Sequence, residues 1–176
     1  MPSIKNKDQR VSVFIDVQNL YHSAKNLYQA RVNFGEVLKT ATAGRKLIRA
    51  FAYVVRTKTG EEQPFFDALI GLGIETRIKD LQEYFGGLKK ADWDVGMAVD
   101  AIKIQDSVDV IVLVSGDGDF APLVEYLKNH GKRVETMSFG KSTSSKLREI
   151  ADEFLDLEEG VEKYLLRAKR WPIIGK

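Results

Sequence analysis

Residues 108–120 constrain the fold more than any other stretch of the chain. Val108, Val110, Ile111, Val112, Leu113 and Val114, with only Asp109 among them, run straight into Ser115, Gly116, Asp117, Gly118, Asp119 and Phe120. Six apolar, mostly β-branched residues describe a strand buried on both faces, as in the middle of a parallel sheet. Ala121, Leu123, Val124 and Leu127 then predict a helix, with Pro122 in the first turn, where proline is tolerated. Two carboxylates therefore stand at a strand-to-helix turn, where open α/β sheets bind their ligands. Asp and Gly are also ordinary turn residues and Asp an ordinary helix cap, which accounts for one acid. Two acids on alternate positions repel each other unless a cation or a proton intervenes.

The rest of the chain repeats strand and helix in alternation. Residues 1–10 are polar and predict a flexible arm. Val11, Val13 and Ile15, with Phe14, form a first strand ending at Asp16. Val17, Gln18 and Asn19 read as an exit turn before a helix carrying Leu20, Ala24 and Leu27. Asn33 with Glu36 three residues on resembles a capping box for a second helix. Leu47–Val55 is a second strand, and Glu61–Leu72 a helix with Phe65, Phe66, Leu69 and Ile70 inward. Ile74–Lys79 is a third strand; residues 80–90 look irregular. Asp92 can cap a helix with Val95, Ala98, Val99 and Ile102 inward. After the central fourth strand come a fifth at Arg133–Phe139, a helix containing Leu147 and Ile150, and a short last strand at Phe154–Leu157. Such alternation predicts an α/β fold: a three-layer, mostly parallel sheet of five to six strands in the doubly wound, Rossmann-like order 3-2-1-4-5. One domain is expected over residues 11–157, followed by a basic amphipathic tail over 158–176. That order sets the first strand beside the fourth, and so Asp16 beside Asp117 and Asp119.

Composition narrows the chemistry. Hydrophobic residues are 44% and charged residues 30%, ordinary for a globular chain and too apolar for disorder. Apolar runs are strand-sized, and residues 1–10 lack the stretch of a secretory signal, so neither a membrane span nor export is expected. With no cysteine there is no disulfide, thiolate zinc site or cysteine nucleophile, and a cytoplasmic protein is the simplest inference. Only His22 and His130 are present, too few for a histidine-rich metal site and little for a Ser-His-Asp triad. Carboxylates are left to do the chemistry. Asp94, in the first turn of its helix, can point toward the strand tips, whereas Asp100 is turned roughly 120° away from it. Together, Asp16, Asp94, Asp117 and Asp119 make a hard oxygen cluster of the kind that holds Mg²⁺ or Mn²⁺.

Three motifs then resemble, in order and spacing, the NYN domain family and its bacterial LabA-like branch, relatives of the PIN domains. They are Phe14-Ile15-Asp16-Val17-Gln18-Asn19-Leu20, Asp92-Trp93-Asp94-Val95-Gly96-Met97-Ala98-Val99-Asp100 and Ser115-Gly116-Asp117-Gly118-Asp119-Phe120. The resemblance runs from about Val11 to Leu157. It implies a PIN-like fold and a metal-dependent ribonuclease site on Asp16, Asn19, Asp94, Asp117 and Asp119, with Ser115 and Asp100 in support. A metal bridging Asp16 and Asp117 would activate water for phosphodiester hydrolysis, and Asn19 would fix a carboxylate or phosphate oxygen. The chain departs from many relatives at Val17-Gln18, where a glycine commonly follows the first Asp; no ligand is lost.

The net charge of +2 does not itself argue for a polyanion, but placement does. Arg56, Lys58, Lys79, Lys89, Lys90, Lys141 and Lys146 fall in loops at the carboxyl end of the expected sheet and would grip phosphates. Tyr84, Phe85 and Trp93 lie on the same side, suited to stacking bases of single-stranded RNA; Arg167, Lys169 and Arg170 are further candidates in the tail. A haloacid-dehalogenase-type phosphatase needs a second Asp two residues after the first, where this chain has Gln18. A Rossmann dinucleotide enzyme needs a Gly-x-Gly-x-x-Gly turn, which is absent. The remaining alternative is a non-catalytic RNA-binding or regulatory module on the same fold. A homo-oligomer is compatible with the sequence.

Overall fold

The structure, a computed structural model, describes residues 5–83, 86–87 and 89–167. In chain order its elements are β1 (Arg10–Asp16), α1 (Val17–Tyr28), β2 (Arg31–Val32), α2 (Phe34–Thr42), β3 (Lys46–Arg56), α3 (Gln63–Gly71), β4 (Glu75–Asp80), β5 (Gln82–Glu83), β6 (Lys89–Lys90), α4 (Asp94–Ile104), β7 (Val110–Val114), α5 (Ala121–Asn129), β8 (Arg133–Ser138), α6 (Ser145–Ile150), β9 (Glu153–Asp156) and β10 (Leu165–Leu166). Six strands form one sheet in the order β4-β3-β1-β7-β8-β9, with every pairing parallel. The expected five-strand order is extended by β9 at the outer edge.

Alternation along the central strands divides the core into two layers. Val11, Val13 and Ile15 of β1 and Val110, Val112 and Val114 of β7 pack with α1, α2 and α3. Phe14, Ile111 and Leu113 point the other way, onto α4, α5 and α6. Both faces of β7 are thus covered, which is why its sequence is apolar without alternation. Pro64 and Pro122 each fall in the first turn of a helix, and Asn33 caps α2 by accepting the Glu36 N–H at 3.2 Å. Residues 80–90, expected to be irregular, contain the short antiparallel pair β5–β6. The start of the expected tail joins the core: Tyr164 and Leu165 are buried, and β10 pairs with β2. Among the described residues, no helix is long and apolar enough to cross a membrane.

Helix α4 is rotated from its expected orientation. Its buried residues are Met97, Ala101 and Ile104, while Val95 is 75% exposed and Val99 and Ile102 also face outward. The helix is apolar on two faces, so period alone offers two stripes. Trp93 selects one. Its indole N–H donates to the Val54 carbonyl at 2.9 Å, and its ring covers Gly96, where an added Cβ would come within 2.6 Å of it. On α3, Ile70 is exposed rather than inward.

An ion pair lies inside the fold. Arg45 donates to both carboxylate oxygens of Glu135 at 2.9 Å, and neither side chain is exposed. Burial pushes the Glu135 carboxyl up, but the Arg45 guanidinium, with Lys5 and Arg133, more than offsets this and holds it below the usual range. Glu135→Ala leaves the Arg45 charge buried without its partner and should destabilise the chain by about 3–5 kcal/mol in urea unfolding. Arg45→Met with Glu135→Leu should recover most of that; a double variant as unstable as the single one would contradict it.

Candidate active site

The site forms at the carboxyl end of the sheet, where β1 and β7 lie side by side and the chain leaves them in opposite directions. The pairing of Ile15 with Val114 sets Asp16 next to Ser115. Asp16 ends β1 and caps α1 at once, so the exit turn expected at Val17, Gln18 and Asn19 does not exist. Its Oδ1 accepts the Asn19 backbone N–H at 3.2 Å, and its Oδ2 accepts the Ser115 hydroxyl at 2.9 Å. Asn19 in turn takes the Gly116 N–H on its side-chain oxygen at 2.9 Å. These bonds latch the turn after β7 to the start of α1.

Beyond the latch, Asp94, Asp117 and Asp119 each present a carboxylate oxygen within 4.8 Å of the other two. The Asp119 N–H donates to Asp117 Oδ1 at 2.9 Å, which folds the turn tightly. Gly116 and Gly118 serve close packing: a Cβ at Gly116 would stand 2.8 Å from Ser138 Oγ and 3.1 Å from the Ser142 carbonyl oxygen, and one at Gly118 2.6 Å from Ser144 Oγ. The segment after β8 thereby backs the acid turn. Asp94 opens α4, its N–H bonded to Asp92 Oδ1 at 3.2 Å. Among the described residues, no Lys, Arg or His pairs with Asp94, Asp117 or Asp119.

The unbalanced charge shows in the acids themselves. Burial, followed by the charges of Asp117, Asp92, Asp16 and Asp119, pushes the Asp94 carboxyl up to about 6. Burial also raises Asp16, against the two hydrogen bonds it accepts and with Asp117 and Asp92 adding to the rise. Asp92, read from sequence only as a cap, therefore belongs to the acidic field; its place two residues before Asp94 was the available signal.

Other expected site residues lie elsewhere or are already engaged. Asp16 stands beside the converging triad, with each of its oxygens accepting one hydrogen bond of the latch. Asp100 accepts the Tyr53 hydroxyl at 2.9 Å and pairs with Arg77, so it anchors α4 to the sheet. Trp93, expected to stack on bases, is packed against Tyr53, with the Lys79 ammonium 4.4 Å from its ring centre. Lys79 also donates to the Asp92 carbonyl. Arg56 pairs with Asp80 at 2.8 Å, Lys141 with Glu158 at 3.5 Å, and Arg167 with Glu162 at 2.9 Å. Lys58 is exposed after β3 and Lys146 on α6. Tyr84, Phe85, Lys169 and Arg170 lie outside the described residues, as do the side chains of Lys89 and Lys90.

A carboxyl with a folded pKa near 6 and an unfolded one near 3.9 binds more protons when folded, so the stability it lends is complete at low pH and is lost as pH rises through about 6. In EDTA, Asp94→Asn should therefore stabilise the chain at pH 7.5 by about 1 kcal/mol, a figure discounted for solvent screening. The gain should fade between pH 6 and pH 4 in urea unfolding. An unchanged or lower stability at pH 7.5 would mean that burial and the neighbouring acids do not raise the Asp94 carboxyl.

Known proteins resemble this chain over most of its length. The model of the NYN domain matches residues 10–158. The crystal structure of a protein of unknown function from Vibrio parahaemolyticus superposes with a TM-score of 0.83 at 31% identity, covering 93% of this chain and 100% of that one. The low amplitude and bright protein LabA of Synechococcus elongatus is 24% identical over 93% of this chain and 91% of its own length. An uncharacterized protein of Methanocaldococcus jannaschii is 25% identical over 86% of this chain, which spans 57% of that relative. The family is RNA-associated and typically nuclease, with a PIN-like fold that usually works with divalent metals. From the first strand to the end of the sheet, this chain belongs to the NYN domain family.

Proposed function

We propose that this protein is a Mg²⁺- or Mn²⁺-dependent ribonuclease that hydrolyses phosphodiester bonds in single-stranded RNA. The observation that carries the reading is the convergence of Asp94, Asp117 and Asp119 with no basic partner among the described residues. Three converging hard oxygen donors, with the Asp94 carboxyl raised by burial and then by its acidic neighbours, fit a small divalent cation. Asp94, Asp117 and Asp119 would hold it. When bound, such a cation neutralises phosphate charge and makes water a better nucleophile.

The remaining residues act by position. Asp16 keeps the Ser115 hydroxyl and the first turn of α1 in place, and its charge lies close enough to raise the pKa of Asp94. Asn19 holds the acid turn through Gly116, so loss of its amide should disorder the Asp117 backbone rather than remove a ligand. Lys146, with Lys89 and Lys90, and Lys58 once it leaves the partner it has within the chain, are the cations proposed to meet phosphates on either side of the scissile bond. Arg56 and Lys141 would first have to leave Asp80 and Glu158.

Purified chain should cleave labelled single-stranded RNA with Mg²⁺ or Mn²⁺ and stop in EDTA. Asp117→Asn should lower cleavage at least a hundredfold with an unchanged circular dichroism spectrum. Metal-replete wild type that binds RNA without cutting any would identify a non-catalytic RNA-binding or regulatory module; an Asp117→Asn variant with full turnover would remove the acid triad from the reaction.

A further inference from the structure

Helix α4 starts with little capping of its own. Trp93 stands at the capping position and gives the first turn no side-chain hydrogen bond, so the backbone that carries Asp94 has to be held largely from outside the helix. Two strands do this. On β3, the Val54 carbonyl accepts the Trp93 indole N–H at 2.9 Å. On the edge strand β4, Lys79 is paired with Val55, the next residue of β3. Its ammonium donates to the Asp92 carbonyl at 2.8 Å and stands 4.4 Å from the centre of the Trp93 ring. Both residues that precede Asp94 are thus tied to the sheet edge, and Lys79 touches each of them.

The same bond closes an excursion of the chain, which leaves β4 after Asp80 and comes back to it at Asp92, 13 residues beyond Lys79. Lys79 is half-buried, and among the described residues no carboxylate pairs with it. A lysine kept for charge meets an acid or stands free in water. This one is engaged by a carbonyl and a ring, both of which belong to the segment that delivers Asp94.

We infer, on the reading of the acid cluster as a cation site, that Lys79 is a positioning residue of that site. By holding Asp92 and Trp93 against the sheet edge, it sets the reach of the Asp94 carboxylate toward Asp117 and Asp119. Charge alone predicts the opposite effect: a lysine close to a bound dication repels it, so its removal would tighten binding. Mn²⁺ titration of the full chain by isothermal calorimetry, with no RNA present, separates the two. Lys79→Met should weaken Mn²⁺ binding about tenfold, the scale on which groups behind metal ligands act, with an unchanged circular dichroism spectrum. Lys79→Arg can donate to the same carbonyl and stack on the same ring, and should restore most of the affinity. In an Asp94→Asn background, Lys79→Met should change the affinity by less than about twofold, because both residues act through one ligand. Unchanged or tighter Mn²⁺ binding by a folded Lys79→Met variant would overturn the inference and leave the nuclease reading intact. So would an equal loss in the Asp94→Asn background, the mark of a general loosening of the fold. A wild-type chain that binds no Mn²⁺ would overturn both.

Discussion

Carboxylates brought within a few ångströms of one another repel, and a fold that gathers them must hold each one from behind. Here the gathering follows from topology. The parallel register of β1 with β7 puts Asp16 and Ser115 at adjacent strand ends, and the first turn of α4 brings Asp94 to the same spot. Asp117 and Asp119 leave β7 in a turn that has no freedom to relax away, because Gly116 and Gly118 are pressed against the segment from Ser138 to Ser144. Burial first, and then the charges of Asp117, Asp92, Asp16 and Asp119, raise the Asp94 carboxyl to about 6. A divalent cation would offset the repulsion of such a cluster, and the proposed function rests on that.

Two kinds of support surround that centre. One is the latch of Asp16, Ser115, Asn19 and Gly116, which joins two strand-to-helix junctions far apart in sequence. The other is Trp93, which fixes the start of α4 by bonding to Val54 and lying over Gly96. Both use residues of types that sequence reading assigns to direct chemistry: an acid, an amide and an exposed aromatic. Their work here is to place Asp94 and Asp117.

Much of this was legible in the sequence because burial writes itself plainly into strands. The apolar run at Val110–Val114 identifies a strand covered on both faces, and the order that follows from alternating strands and helices brings Asp16 toward Asp117 and Asp119. The sixth strand, β9, has partly buried residues and left only a weak signal. What could not be read was orientation. Helix α4 carries apolar residues on two faces, so the stripe through Val95 and Val99 looked as good as the one through Met97 and Ala101; the tie is broken by Trp93, a contact 39 residues away in sequence at Val54. Asp16 was legible as a site residue but not as a helix cap, since a carboxylate at a strand end serves either purpose. Pairings such as Arg56 with Asp80 and Lys141 with Glu158 depend on side-chain directions that charge counting along a chain does not contain.

The account turns on a cation being held by side chains from α4 and from the turn after β7 at once. Anomalous diffraction from a crystal soaked in Mn²⁺ tests this directly. A single strong peak is expected, coordinated by Asp94, Asp117 and Asp119, with Asp16 behind it and still bonded to Ser115. A well-ordered site with no peak at saturating Mn²⁺, or a peak bound by Asp16 with Asp94 turned to solvent, would contradict it.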